Sequence, residues 1–306
     1  MTTLIRRIAG DRSRRPVWQE PPTPVGQGLK AVVLTVLVAG VLFPLWVILV
    51  TSLSSRETIA RAGGLVVVPR GIDTSAYETI FAGGAVTRAL WISTLVTVIG
   101  TAIALTVTVL AAYGLSRPGS LGHRWLLAYF LIPFLVYPPL VPRYLVVTGL
   151  GLKDTIWALV LPPAISVFNL VVVRGFFQGI PSELLDSARI DGASDFRTLA
   201  RIVLPLSRAV IAVVGLFYAV SYWNVWFDAL LFIDRNDMYP IQRVLQSYLL
   251  AGQAPHTSGG SSGVTMPPTE AVKMAVVVLT VAPIVAVYPF IQRHFVKGVL
   301  IGAVKG

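Results

Sequence analysis

Eight ionisable side chains lie within or just after the stretch from Pro181 to Ser207: Glu183, Asp186, Arg189, Asp191, Asp195, Arg197, Arg201 and Arg208. Carboxylates and guanidiniums interleaved in this way can grip another charged surface. They also interrupt two strongly apolar runs. At a bilayer centre each ionised group costs roughly 2.5–3.5 kcal/mol, on the order of 20 kcal/mol for the set, so the segment stays in water. It still keeps helical apolar spacing: Leu184, Leu185 and Ala188 precede an Asp191-Gly192 break, and Phe196, Leu199 and Ala200 follow it. A soluble pair of short helices held between membrane spans is a docking element.

Covalent chemistry has little to work with. The chain has no cysteine, which removes disulfides, thiol nucleophiles and thiolate metal sites. Its three histidines, His123, His256 and His294, are scattered, which argues against a metal centre. The five lysines, at positions 30, 153, 273, 297 and 305, all lack the glycine-rich context of a phosphate-binding loop, so the chain is not its own ATPase. No Ser-His-Asp arrangement stands out. The expectation is a protein without a catalytic, metal or cofactor site.

The elements that position the charged stretch are apolar. Of 306 residues, 55% are hydrophobic and 13% charged, well outside the range of water-soluble domains. Uncharged runs cover 31–55, 89–116, 125–142, 155–173, 209–227 and 274–292. Each is about as long as a membrane-crossing helix requires. Pro133, Pro138, Pro139 and Pro142 interrupt the third run, so a bent or broken helix is expected there. Six crossings put both termini on one side. With that side cytoplasmic, 16 of the 25 basic residues and 6 of the 14 acidic residues lie inside. The net +11 is then almost wholly a topology signal. Nucleic-acid binding is not needed to explain it, and the charged loop faces the cytoplasm.

Along the chain, 1–28 reads as a basic, proline-rich cytoplasmic tail, 29–298 as one transmembrane domain and 299–306 as a cytoplasmic C-terminal tail. Ser13-Arg14-Arg15 lies too far ahead of the first apolar run to act as a twin-arginine signal. Within the domain, 181–205 is the charged loop, and 234–269 is a flexible outer segment whose glycine- and serine-rich part has linker composition. Arg117-Pro118-Gly119 marks an inner turn. The fold class is all-α integral membrane with six helices.

The charged loop carries a family likeness. Asp186-Ser187-Ala188-Arg189-Ile190-Asp191-Gly192-Ala193, followed by Leu204-Pro205-Leu206, resembles the "EAA" loop of binding-protein-dependent ABC importer permeases. Asp186 replaces the usual Glu, Ser187 the first Ala, and Ala209 stands where a second Pro often follows. The resemblance implies a type I ABC importer permease fold. In it, Asp186, Ser187, Ala188, Asp191, Gly192, Ala193, Phe196, Leu204 and Pro205 form a coupling element that inserts into a cleft of a cytoplasmic ATPase. The residues themselves are consistent with this. Ser182 and Ser194 suit helix N-caps, and residues 187 and 188 are small enough for close approach by another surface. Gly192 permits a turn that a Cβ would obstruct, and Pro205 suits the first turn of the fifth span. The bland reading is an amphipathic inner loop with no partner.

The C-terminal run from Tyr288 to Gly298 and the ending Gly302-Ala303-Val304-Lys305-Gly306 are similar to carbohydrate importer permeases. The stretches Leu140 to Gln178 and Tyr239 to Leu245 look like the oligosaccharide or aldouronate-type branch, which works with a lipoprotein binding subunit. The resemblance thus implies a second permease as heterodimer partner, an ABC ATPase dimer using ATP and magnesium, an extracytoplasmic solute-binding protein, and a sugar cargo moved by alternating access. Asn169, Tyr222, Trp223, Asn224 and Trp226 are candidates for the cargo pathway, through ring stacking on sugar faces and hydrogen bonds to hydroxyls. An interfacial aromatic belt explains the aromatics equally well, and interhelical hydrogen bonding explains Asn169. Asp228 reads as a charge at the membrane edge. Other classes fit less well. A non-sugar cargo lacks the sugar-type tail, an ion-coupled transporter needs ionisable groups inside the runs, and a membrane enzyme needs a polar cluster at one depth.

Overall fold

The computed structural model describes residues 23–117, 122–136, 139–250 and 270–303, with 289–303 as backbone alone. Most of the basic tail, Pro118-Gly119, Pro138, the glycine-rich stretch and the last three residues lie outside the described residues. Two units are distinguished, Met1–Val47 and Ile48–Gly306.

Almost all the described residues of the first unit lie in one helix, α1 (Pro24–Ser52). Proline suits its first turn, where an N–H would have no partner anyway. The helix begins seven residues before the apolar run, so Pro24 to Gly28, assigned above to the tail, are helical. Its 29 residues span about 44 Å, more than a hydrocarbon core.

In the second unit, α2 (Arg56–Arg61) is capped by Ser55 and α3 (Ser75–Gly83) follows a short loop. In that loop the Asp73 carboxylate accepts the Ser75 N–H at 2.9 Å, and hydrogen bonds from Ser75 hold its pKa below the usual carboxylate value. Gly84, at φ +66°, lets α3 end and the 32-residue α4 (Ala85–Ser116) begin without a gap. The third run does break, into α5 (His123–Leu135) and α6 (Leu140–Gly149), which stand 118° apart.

The fourth run also breaks, which its apolar composition concealed. The short α7 (Trp157–Val160) is separated from α8 (Val167–Gln178) by the turn containing Pro162 and Pro163. A proline pair has no N–H to give the preceding turn, so the helix stops. The gap is closed by Ala164 N–H to Leu161 O (3.1 Å), Ser166 N–H to Tyr218 Oη (3.0 Å), and Ser166 Oγ accepting Asn169 N–H (3.4 Å). The remaining helices are α9 (Ser182–Ile190), α10 (Asp195–Leu206), α11 (Arg208–Trp223), α12 (Phe227–Phe232), α13 (Ile241–Leu250) and α14 (Glu270–Ala303). By length and composition the described residues hold three membrane-crossing helices, or five if each bent pair is one crossing, against the six expected. No strand occurs among the described residues.

The core is built around α4. Val96, Ala104 and Ala112 of α4 pack with Leu170 and Val173 of α8 and with Val214, Tyr218 and Tyr222 of α11. Gly100 makes this possible, because a Cβ there would stand 2.6 Å from the Tyr222 ring. Close backbone approach through small residues is how helices associate without a hydrophobic driving force. Polar groups add a few fixed points. Thr108 Oγ1 and Tyr218 Oη are 2.6 Å apart, and Tyr222 Oη donates to Val160 O at 2.8 Å. Each such bond in a membrane protein is worth about 0.6 kcal/mol.

Candidate coupling site and its anchorage

The charged loop folds as two short helices joined by a single turn, and the turn has an identifiable mechanism. Ala193 N–H reaches back to Ala188 O (2.9 Å) and Gly192 N–H to Arg189 O (3.0 Å), with Gly192 at φ +74°. This is the glycine-terminated helix end in which a left-handed residue satisfies the last carbonyls. Ser194 then caps α10, its Oγ accepting the Arg197 N–H at 3.4 Å. Ser182 is not a cap. It is the first residue of α9, Pro181 occupies the cap position, and no side chain bonds the first turn.

The two faces of α9 differ. Leu185 packs on the core and Ala188 is buried against this chain's own bundle, so Ala188 does not serve outside contact as expected from its size. Asp186 and Ser187 are exposed, as are Asp191 and Gly192. The large apolar side chains Leu184 (46% exposed), Ile190 (86%) and Phe196 (74%) point into solvent, where such residues imply a partner. Asp186 and Arg189 form an exposed ion pair at 3.1 Å. Ala193 is half-buried at the turn.

Beyond the turn, the path to α11 departs from the sequence reading. Leu204 and Pro205 are half-buried near the end of α10 rather than at the start of a straight fifth span. A π-helical turn, Leu199–Val203, precedes them, and α10 and α11 meet at 85° around the buried Ser207. Widened turns of this kind are uncommon and cluster at functional places.

One group of residues at this end was not singled out from sequence beyond its charges. Arg117, one residue past α4, bonds both the Asp195 carboxylate and Tyr113 Oη, and its guanidinium lies 4.4 Å from the Tyr113 ring centre. Tyr113 Oη donates to Asp195 O at 3.0 Å. The Tyr113 ring meets Phe177 of α8 edge-on at 6.5 Å. Arg174 of α8 donates from Nε to Leu115 O (2.9 Å), with a terminal nitrogen 3.4 Å from His123 Nε2. The partners lie tens of residues apart in sequence, so only the density of Arg and Tyr at these run ends hinted at the arrangement.

The cargo candidates separate into two groups. Tyr222 and Trp223 are buried, the former against Gly100 and the latter donating Nε1–H to Thr280 O at 3.2 Å, so they tie helices together. Asn224 and Trp226 are exposed. Asn224 Oδ1 accepts from Gln242 Nε2 (3.1 Å), and Trp226 meets Phe227 edge-on. Asn169 is buried on α8, and its carboxamide has no hydrogen bond among the described residues. Asp228 is not a solitary edge charge. It pairs with Arg143 at 2.6 Å, with side chains only 13% and 22% exposed. The third run therefore reads as charge-free only because it stops one residue short of Arg143. Nearby, Asp154 (φ 56°) accepts the N–H groups of Asp234 (2.6 Å) and Arg235 (3.2 Å), and Lys153 bonds Asp234 at 2.7 Å. The bond and charge of Asp234 raise the Lys153 pKa. Among the described residues no group of His, Asp and Glu stands close enough to hold a metal ion.

The chain is similar to known proteins over most of its length. Residues 104–301 match the family described as binding-protein-dependent transport system inner membrane component. The chain is 43% identical over 243 residues to the polygalacturonan/rhamnogalacturonan transport system permease protein YtcP of Bacillus subtilis, covering 79% of this chain and 85% of that one. It is 40% identical over 265 residues to Protein LplC of the same organism, covering 87% and 90%. Among solved structures, a bacterial ABC transporter involved in the import of the acidic polysaccharide alginate superposes with a TM-score of 0.82 at 26% identity, over 92% of this chain and all of that one.

Proposed function

The chain belongs to the binding-protein-dependent transport system inner membrane component family, and from that premise we propose that it carries an oligosaccharide across the cytoplasmic membrane. It is a multi-pass permease subunit of an ABC importer, working with an ATPase and a binding protein, and is not itself an enzyme. The finer reading has both termini in the cytoplasm, six crossings, a second and different permease completing the pore, and a lipoprotein delivering cargo. ATP and magnesium belong to the ATPase subunits. Asp186, Ser187, Asp191, Gly192, Ala193 and Phe196 form the surface the ATPase grips, with Ala188, Leu204 and Pro205 fixing that surface to the bundle. Asn169, Asn224 and Trp226 are the cargo-contacting candidates, while Tyr222 and Trp223 hold the wall behind them.

The observation that carries the coupling reading is the exposure of Leu184, Ile190 and Phe196 beside a turn locked by Gly192. ATP-driven closure of the ATPases would bias the permease between inward- and outward-open states, because the closed ATPase binds one state better. The test is import by the whole complex in proteoliposomes, across neutral and uronate-bearing oligosaccharides, peptides and polyamines. Binding-protein-dependent uptake of an oligosaccharide is expected. Uptake confined to peptides or polyamines overturns the cargo reading.

A further inference from the structure

Two routes lead from the charged loop into the bundle. The covalent route runs from α10 through the π-helical turn Leu199–Val203 and the 85° bend at Ser207 into α11. The bend holds a buried serine hydroxyl with no hydrogen-bond partner among the described residues, beside the widened turn. The second route is non-covalent and short. Asp195, the first residue of α10, is held to the end of α4 through its side chain by Arg117 and through its backbone carbonyl by Tyr113 Oη at 3.0 Å. Arg117 is itself seated on the Tyr113 ring, and that ring meets Phe177 of α8. Arg174 binds α8 to the carbonyl of Leu115, two residues before Arg117, and approaches His123 at the start of α5.

We propose that Tyr113 and Arg117 are positioning residues that latch the coupling loop to the second span, so that force on the loop enters the bundle through α4 as well as through the chain to α11. This rests on the coupling reading above. α4 is the right recipient mechanically, because it lies at the centre of the core and packs against both α8 and α11. A displacement of Asp195 then moves the ends of α4 and α8 together, the latter through Tyr113–Phe177 and Arg174–Leu115. The latch has two independent bonds to one residue, one of them to backbone. It therefore constrains the position of α10 and not merely its charge. Asp195 is largely exposed, so its ion pair alone would be weak and screened by salt. The tyrosine bond to the backbone carbonyl, which a charge swap leaves in place, adds a second hold on the same residue.

The experiment uses the reconstituted complex with its ATPase and binding protein, and reads ATP hydrolysed per solute imported at equal ATPase co-purification. Tyr113→Phe keeps the ring on Phe177 and removes only the hydroxyl. Arg117→Asp and Asp195→Arg each reverse one charge, and the double swap restores the pair. The single swaps should raise ATP consumed per solute at least about five-fold, the lower edge of ordinary coupling between sites. Tyr113→Phe should raise it less, and the double swap should bring it back to within about two-fold of wild type. Wild-type stoichiometry in both single swaps overturns the latch, and so does failure of the double swap to restore it. Gly192→Trp, run in parallel, separates the two readings. If it uncouples while the swaps do not, only the latch fails; if it leaves coupling intact, the loop reading fails and the latch with it.

Discussion

The two ends of this bundle are finished differently. At the end opposite the coupling loop, charges meet partners within the chain. Arg143 pairs with Asp228 under cover, Asp154 accepts two backbone N–H groups, and Lys153 reaches Asp234. At the loop end no pair among the described residues is covered to that degree, and Leu184, Ile190 and Phe196 project into solvent. The covered Arg143–Asp228 pair holds geometry, whereas the uncovered apolar side chains of the charged loop are those a docking partner would cover. Substitutions at the first should therefore register as stability, and at the second as assembly and coupling.

The largest break of that contrast should come at Asp228. Asp228→Ala leaves the half-buried Arg143 without its counter-charge and should destabilise by up to about 3 kcal/mol, the lower edge for a fully buried pair, read as a lowered melting temperature in detergent. Replacing both partners with apolar residues of similar size should recover most of the loss, since the pair's own net contribution is small. A step below lies Asp154→Val, which removes the acceptor for two N–H groups and puts a β-branched residue at positive φ. A loss of about 1–3 kcal/mol is expected in the same assay. Asp154→Asn should be nearly silent, because asparagine tolerates that conformation and can accept the same bonds. Phe196→Ser should change melting by no more than about 0.5 kcal/mol yet lower the ATPase retained on co-purification. Loss of stability without loss of ATPase would reverse the assignment of the two ends. The smallest effect belongs to Arg189→Ala, which breaks an exposed pair one turn apart: about 0.2–0.5 kcal/mol at low salt, less as ionic strength rises, and no loss of ATPase.

Local features of the site were legible in sequence, and long-range ones were not. The Gly192 turn and the Ser194 cap follow from residues within a few positions of one another, and both form as expected. Ser182 failed as a cap because Pro181 already occupies the cap position and the serine is the next residue in. Pro162-Pro163 stood in plain view, but a hydropathy reading counts proline as merely uncharged and runs over the break. Pro205 was read as opening a span because nothing in its neighbourhood announces the bend at Ser207. Arg143 with Asp228 and Tyr113 with Asp195 join residues more than 80 positions apart, which requires the folded bundle to bring them together. Tyr222 and Trp223 looked like a sugar-stacking surface because their ring chemistry allows it. Their burial depends on Gly100 and Thr280, on other helices.

The proline break in the fourth run limits how that segment can be rotated in the bilayer. Acyl chains offer no hydrogen bonds, so the irregular peptide groups between Leu161 and Ser166 need protein or water beside them. Leu161, Ile165 and Phe168 nonetheless lie bare around the break, greasy enough to pass for a lipid-facing stripe. Their greasiness thus misleads about what must stand beside them: the free carbonyls of the break call for protein or water rather than acyl chains.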